Sequence, residues 1–363
     1  MLSNKELVTI AIIVLLVGFL ICNITRVETF NPKNPRNLIG EAKTDVASMA
    51  RINAMIIPLR DHVHTWIVKV PLTPFKAPLV IPPLDGKPLP PFLLYKPDFL
   101  TPAQNQGECG SCWAFSLTGV LADRAMIATG GRFRKTLSVQ ELLSCFDRTG
   151  CEGGSPEDAC FWLASSGTEL HTDKALPYKQ QKTLNVSTAC KTAKGDAVRV
   201  NKDSIKSIVE FIPEKGYSKE ILQRNINSMK RELVEGGVFY CAMTVYEDFF
   251  SYTGLKPYRP SKNSKVIGGH AIEVVGYCEK GQDPRSDFKK YGYWICKNSW
   301  SGGWPTQTTI DGYFTIVMGY NVCGIESRCG SAVPELHTSG GLVGEPLPLS
   351  ALRYETFKEY WSN

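Results

Sequence analysis

Cys109 and Cys112 stand three positions apart in NQGECGSCWAF, residues 105–115. That spacing suits three chemistries: a redox pair, half of a zinc site, or a nucleophile beside a structural cysteine. The pair alone does not choose among them. Cys112 is expected to open a helix, where unpaired amide groups and the helix dipole favour a thiolate. A thiolate nucleophile needs a base, and the base needs a group to orient it. Five histidines are available: His62, His64, His171, His270 and His337. His62 and His64 precede the expected folded body and His337 follows it. His171 lacks a glycine-rich or strand setting and reads as a surface histidine. His270 lies in Gly268-Gly269-His270-Ala271 at the head of the apolar strand IEVVGY, where the glycines let another chain approach the ring. Lys297-Asn298-Ser299-Trp300 ends the strand YWIC. The carbonyl of Asn298 can accept the proton on one imidazole nitrogen and fix the tautomer, and the indole of Trp300 can shield that bond from water.

Four helices followed by four strands are expected to position these groups. The first helix runs from Cys112 to about Ala128 and ends at Gly130-Gly131. The second starts at Ser138, which forms a capping box with Glu141. The third follows Ser155-Pro156 and has Gly167 beyond its end. In the fourth, after Ser218, the spacing of Ile221, Leu222, Ile226, Met229 and Leu233 gives one apolar face that stops before Gly236-Gly237. Segments 238–245, 266–277, 291–297 and 312–318 are short, β-branched or aromatic, and read as strands. Helices first and strands second argue for an α+β fold of two lobes, with chemistry in the cleft between them.

NQGECGSCWAF, GGHAIEVVGY and KNSWSGGW, in that order, resemble the active-site blocks of the papain-like cysteine proteases, the papain and cathepsin family. The resemblance covers residues from about 93 to 333. It implies a papain-like two-lobed fold, a helical left lobe and an antiparallel, barrel-like right lobe with the active-site cleft between. It implies a thiol endopeptidase working through an acyl-enzyme on protein and peptide substrates, as a monomer, with no cofactor and no metal. Carried over, Cys112 resembles the nucleophile, His270 its base, Asn298 the residue that orients the base, and Trp300 the shield. Gln106 resembles the oxyanion donor, acting with the Cys112 backbone N–H. Gly110 and Ser111 would line the S1 side of the cleft. In Cys151-Glu152-Gly153-Gly154, Gly154 matches the glycine whose backbone pairs with an extended substrate at P2. Gly153, Ser155 and Ala271 fall along the same cleft.

The block Cys323-Gly-Ile-Glu-Ser-Arg328 resembles a cathepsin B segment whose last residue lies at the base of the S2 pocket, so Arg328 implies acceptance of an acidic P2 residue. The family's pairing implies disulfides Cys109–Cys151 and Cys145–Cys190. On that reading Cys109 is structural, and the redox and zinc alternatives recede. The rival function is a catalytically silent papain-like fold serving as a membrane-tethered binding protein; the presence of Gln106, Cys112, His270 and Asn298 together speaks against it. The chain departs from the family in its pro-segment, which lacks a long helical pattern, in the stretch 278–292, and in the loop PTQTTID after Trp304. The usual partner of Cys323 is missing. Cys160, Cys241, Cys278, Cys296, Cys323 and Cys329 are expected as buried free thiols, with a Cys278–Cys329 or Cys278–Cys323 bridge as the alternative.

The remaining features bound the organisation. At 363 residues with 43% apolar and 21% charged residues, the chain can bury a large core. A net charge of +6 without long basic runs gives no support for nucleic-acid binding. Residues 1–24 contain an almost wholly apolar run, Leu7 to Ile24, long enough for a transmembrane anchor, with a signal peptide as the alternative. Arg26, Lys33, Arg36 and Lys43 after the run would place the body on the cytoplasmic side. Cysteine usage and the acceptor patterns at Asn23 and Asn185 point instead to a lumenal, endolysosomal or virion-associated body. Residues 25–92 read as a proline-rich linker or pro-segment, with a short helix over 42–57 and nine prolines from Pro71 to Pro97. The peptidase domain is expected over 93–335 and a C-terminal extension over 336–363, apolar enough to dock on the body.

Overall fold

The structure, a computed structural model, describes residues 76–81, 88–146, 150–179, 193–213 and 217–362. The apolar run 7–24, the helix expected over 42–57, His62, His64, both acceptor asparagines and Cys190 lie outside the described residues. The larger compact unit, beginning at Met55, contains every described residue.

Two apolar clusters divide the fold into lobes, as the α+β reading expects. The first lobe is built on helix α1, Cys112–Ala128, whose residues from Trp113 to Met126 are all buried. Helix α2, Val139–Cys145, and helix α3, Pro156–Ser166, pack around it with Leu142, Leu143, Ala159 and Leu163. A three-stranded sheet closes this lobe: β2 (Leu170–His171), β3 (Ala197–Val200) and β10 (Pro334–His337). Local signals explain the helix ends. Ser155 Oγ accepts from the Asp158 N–H, Pro156 opens α3, and Gly167 closes it at φ 63°.

The second lobe is an eight-stranded antiparallel sheet. Its continuous path is β11 (Arg353–Tyr354), β1 (Phe92–Tyr95), β6 (Val266–Cys278), β5 (Phe239–Tyr246), β9 (Cys329–Ser331) and β4 (Lys206–Ser207). β7 (Tyr293–Lys297) branches from β6 and pairs with β8 (Tyr313–Val317). Helix α4, Lys219–Arg231, lays Leu222, Ile226 and Met229 on this sheet, then runs through a wide π turn to Gly236.

Several expectations need correction. The capping box of α2 is only half made. Ser138 Oγ accepts from Glu141 N at 2.9 Å, but the Ser138 N–H donates to the His171 carbonyl. The Glu141 carboxylate faces His171 instead, accepting from its N–H at 2.8 Å and standing 2.9 Å from its Nδ1. β2 runs across the start of α2, so His171 is a mostly buried residue held against the Glu141 carboxylate and not a surface histidine. Cys241 and Cys329 are not free thiols: they face each other in register on β5 and β9, with Cα atoms 4.2 Å apart, and form a disulfide. Cys278 bonds neither Cys323 nor Cys329; Cys160, Cys278, Cys296 and Cys323 are buried free thiols.

Chain also packs on the body ahead of Leu93. Lys76–Ile81 lies along β4 in parallel, with Ser207 N donating to Pro78 O at 2.8 Å and Val80 N to Ser207 O at 2.9 Å. At the other end the C-terminal extension wraps the molecule. Leu347 N donates to Gly130 O at the end of α1, and β11 pairs with β1. Helices α5 (Leu349–Leu352) and α6 (Phe357–Ser362) bury Leu352 and Phe357. The two enlarged loops meet this tail: Arg285 packs on Phe288 and faces Phe357 and Trp361, while Tyr360 and Thr309 share a hydrogen bond.

Candidate active site

The chemistry-bearing residues come from three elements. Cys112 is the first residue of α1, which places its sulfur at the positive end of the helix. His270 lies in β6, buried to 4% exposure, and pairs across the sheet with Met243 of β5. Asn298 follows β7 and is also 4% exposed. The Ala271 backbone N–H faces the Cys112 sulfur and favours its thiolate, so the thiol sits against the residue that follows His270.

The tautomer of His270 follows from a backbone group. Asn298 Oδ1 lies 2.8 Å from the Ser299 N–H, which can only donate, so that atom is the amide oxygen. The same oxygen lies 2.8 Å from His270 Nε2, which must therefore carry the proton. Nδ1 is left as the basic nitrogen. Trp300 stands over the pair with its ring 5.0 Å from the imidazole, backed by Phe250 at 5.3 Å and Trp304 at 4.9 Å. This aromatic wall keeps water from the His270–Asn298 bond.

Gln106 is 1% exposed and tightly held. Its Nε2 donates to Cys109 O at 2.9 Å, Ser299 Oγ donates to its Oε1 at 2.7 Å, and Tyr178 Oη donates to its carbonyl at 2.7 Å. An amide nitrogen has two hydrogens, so one remains for an oxyanion. Gly110 donates to Cys151 O at 2.8 Å; a Cβ there would meet that oxygen at 2.4 Å, so only glycine fits. Cys109–Cys151 is a disulfide, which removes Cys109 from any redox or zinc partnership with Cys112. Cys145 is also disulfide-bonded.

Other residues placed along the cleft differ in what they offer. Ser111 is fully buried, its hydroxyl 2.9 Å from Tyr178 Oη, so its side chain is no part of an open S1 surface. Ala271 is buried and contributes its N–H. Gly153 is buried, whereas Gly154 is exposed and lies flat on the Trp113 indole, where a Cβ would come within 2.7 Å of the ring. Ser155 spends its hydroxyl on capping α3. Arg328 is half-buried beside the carboxylates of Glu157 and Asp158 at the start of α3, so its charge is already opposed. Glu157 also accepts the Ala77 N–H at 2.6 Å. Sequence reasoning missed Tyr178 and Glu157; neither sits in a motif.

Burial and local donors pull in opposite directions at the two groups. Burial raises the Cys112 thiol, and the N–H groups of Ala271 and Trp113 offset only part of that. Burial lowers His270 to about 4, with the Asn298 bond opposing. Burial works against charge at each group taken alone, while the partly exposed Cys112 keeps the helix end that favours a thiolate. The folded ring thus refuses a proton that the unfolded chain takes up between 6.5 and about 4. Its contribution to stability is complete above about 6.5 and is lost as pH falls towards 4. Thermal denaturation against pH should therefore slope more steeply in this window for the native chain than for His270→Gln. Parallel curves would show that His270 titrates normally.

The comparisons agree with this geometry. The family model described as "Papain family cysteine protease" matches residues 95–333. A "Gut-specific cysteine proteinase" of Caenorhabditis elegans is 31% identical over 242 residues, 62% of this chain and 66% of that protein. "Cathepsin B-like cysteine proteinase 5" of the same organism is 30% identical over 258 residues, 64% of this chain and 70% of the relative. Among solved structures, "proCathepsin B S9 from Trypanosoma congolense" shares the fold at a TM-score of 0.58 and 22% identity, covering 80% of this chain and 98% of that one. With a matched profile over most of the folded body and a cysteine, histidine and asparagine set from α1, β6 and the end of β7, the chain belongs to the papain family of cysteine proteases.

Proposed function

We propose that the chain is a thiol endopeptidase, with Cys112 as nucleophile, His270 as base, Asn298 as its orienting group and Gln106 as oxyanion donor. The observation that carries this is the Cys112 sulfur held by the Ala271 N–H, with the adjacent His270 fixed through Nε2 by Asn298. The Cys112 proton passes to Nδ1, and the sulfur attacks the peptide carbonyl carbon. The carbonyl electron pair moves to oxygen, where the Cys112 N–H and Gln106 Nε2 receive it. Collapse expels the amine, which takes the proton from the imidazolium and leaves an acyl-thioester. Water, deprotonated by Nδ1, then releases the acid and restores the thiol.

The chain is made as a zymogen on this reading. Lys76–Ile81 adds to the β4 edge and engages Glu157, next to Arg328, so the proline-rich segment covers the S2 side of the cleft. Residues 25–363 treated with an epoxide thiol inhibitor should take the label on Cys112 alone, after clipping of residues up to about 90. His270→Ala should slow labelling and turnover by about 10³-fold or more. A clipped chain that neither labels nor cleaves peptides would favour the silent binding fold.

Arg328 sets the S2 preference, its guanidinium drawn from Glu157 and Asp158 to an acidic P2 side chain. Arg328→Ala should cut the kcat/KM ratio of P2 Glu over P2 Leu by about 10- to 100-fold, the worth of one charged hydrogen bond. Preference for a hydrophobic P2 residue, unchanged in the variant, would sink this assignment.

The apolar run 7–24 anchors the protein to a membrane. Among the described residues no helix is long and apolar enough to cross one. The full chain should float with phosphatidylcholine vesicles and residues 25–363 should not. Equal sedimentation of both would dismiss the anchor.

A further inference from the structure

Behind the catalytic groups, three ionisable side chains meet where the lobes touch. Asp123 comes from α1, Glu273 from β6 and Lys297 from β7; they are 0%, 2% and 7% exposed. Lys297 Nζ contacts Asp123 Oδ2, lies 2.8 Å from Glu273 Oε2, and donates to Thr101 Oγ1 at 3.0 Å. Asp123 Oδ1 takes the Thr101 N–H and hydroxyl, both at 2.7 Å. Glu273 and Lys297 are opposite one another in the β6–β7 register. A cavity of about 20 Å³ adjoins the cluster and also touches Ser116, Ala271 and Asn298.

The placement relates the cluster to the nucleophile. Cys112, Ser116, Gly119 and Asp123 stand at i, i+4, i+7 and i+11 on α1, a single helix face. Ala271 and Glu273 alternate onto one face of β6, towards that helix. The upper contact of this seam is the Ala271 N–H on the Cys112 sulfur; the lower one is Glu273 under Gly119. A Cβ on Gly119 would lie 2.7 Å from Glu273 Oε2, so the glycine is what lets the carboxyl enter.

We propose that Glu273 is a positioning residue: clamped with Asp123 and Lys297, it fixes α1 against β6 and β7, and so sets the Cys112 sulfur relative to His270 and Asn298. The assignment rests on the peptidase reading for its effect on turnover. Two carboxyls share one ammonium. Burial first, and then Asp123, push Glu273 well above the usual carboxyl range, with Lys297 opposing. Both Glu273 oxygens are buried without a well-aligned hydrogen bond, so the 2.8 Å contact with Lys297 is what holds the carboxyl. The other titratable groups at the cluster are Tyr313 of β8, which is buried beside it, and Tyr240, opposite Glu273 in the β5 register.

The test uses residues 25–363 after clipping, with active sites counted by thiol titration. Glu273→Leu should lower kcat per titrated site by about tenfold or more, with KM changed less than about threefold. Glu273→Gln, a neutral donor like the protonated acid, should keep kcat within about threefold of the native chain. Gly119→Ala improves helix propensity yet should lower kcat as the leucine variant does, because it displaces the carboxyl. A role confined to stability predicts lower melting temperatures for Glu273→Leu with kcat per site intact, and that result would overturn the proposal. Alkylation of Cys112 by iodoacetamide across pH needs no peptide turnover. If the native chain cleaves no peptide but its alkylation profile shifts in Glu273→Leu, the placement stands and the peptidase reading falls. Identical profiles overturn the placement whatever the peptide result.

Discussion

The first lobe is assembled around α1, and α1 can be buried at the lobe boundary because the charges it carries there are matched across it. Asp123 meets Lys297 of β7. Arg124, the next residue, meets Glu232 after α4, and its Nε donates to Val238 O at 2.6 Å. Burial alone would raise the Glu232 carboxyl, but Arg124 and Lys206 outweigh it and hold the group below its ordinary value. Loss of one member of such a pair costs about 3–5 kcal/mol, because an uncompensated charge is left without water. These pairs specify the relative placement of the lobes more sharply than apolar contact does, since apolar surfaces slide at little cost while hydrogen-bonded charges do not.

That placement produces the site. Cys112 belongs to α1, in the first lobe, and His270 and Asn298 belong to β6 and the end of β7, in the second. Neither lobe alone contains the pair. His270 is buried beneath an aromatic wall and Cys112 is partly buried, so burial disfavours charge on each. The helix end and the N–H groups of Ala271 and Trp113 pull the other way.

The parts of the chain that depart from the family's pattern solve a sheet problem. An open sheet exposes unpaired edge groups that invite foreign strands. Here β11 from the tail covers the β1 edge, and Lys76–Ile81 covers the β4 edge. The enlarged loop after β6 and the loop after Trp304 meet the tail through Arg285, Tyr360 and Thr309. The insertions and the extension thus form one connected layer. The tail had been expected to dock, and its apolar residues Leu352 and Phe357 are what dock it.

The short strands and the two tail helices were not legible in advance, but from the sequence alone came α1 to α4 and the strands β5 to β8, through caps and apolar spacing, together with Cys112, His270, Asn298 and Gln106 as candidates. These are short-range signals: Ser155 before a proline, a cysteine opening a helix, a histidine after two glycines. What needed the tertiary structure was every contact that joins distant segments. The Cys241–Cys329 bond depends on strand register, which neither cysteine's neighbours encode. His171 looked exposed because its partner Glu141 is 30 residues away and brought near only when β2 crosses α2. Nothing in the local sequence marks Glu273, in an apolar strand, or Lys297, beside Asn298, as partners. Only the packing of α1 on β6 and β7 turns them into a cluster, because burial and pairing are properties of a place in space that no stretch of sequence carries by itself.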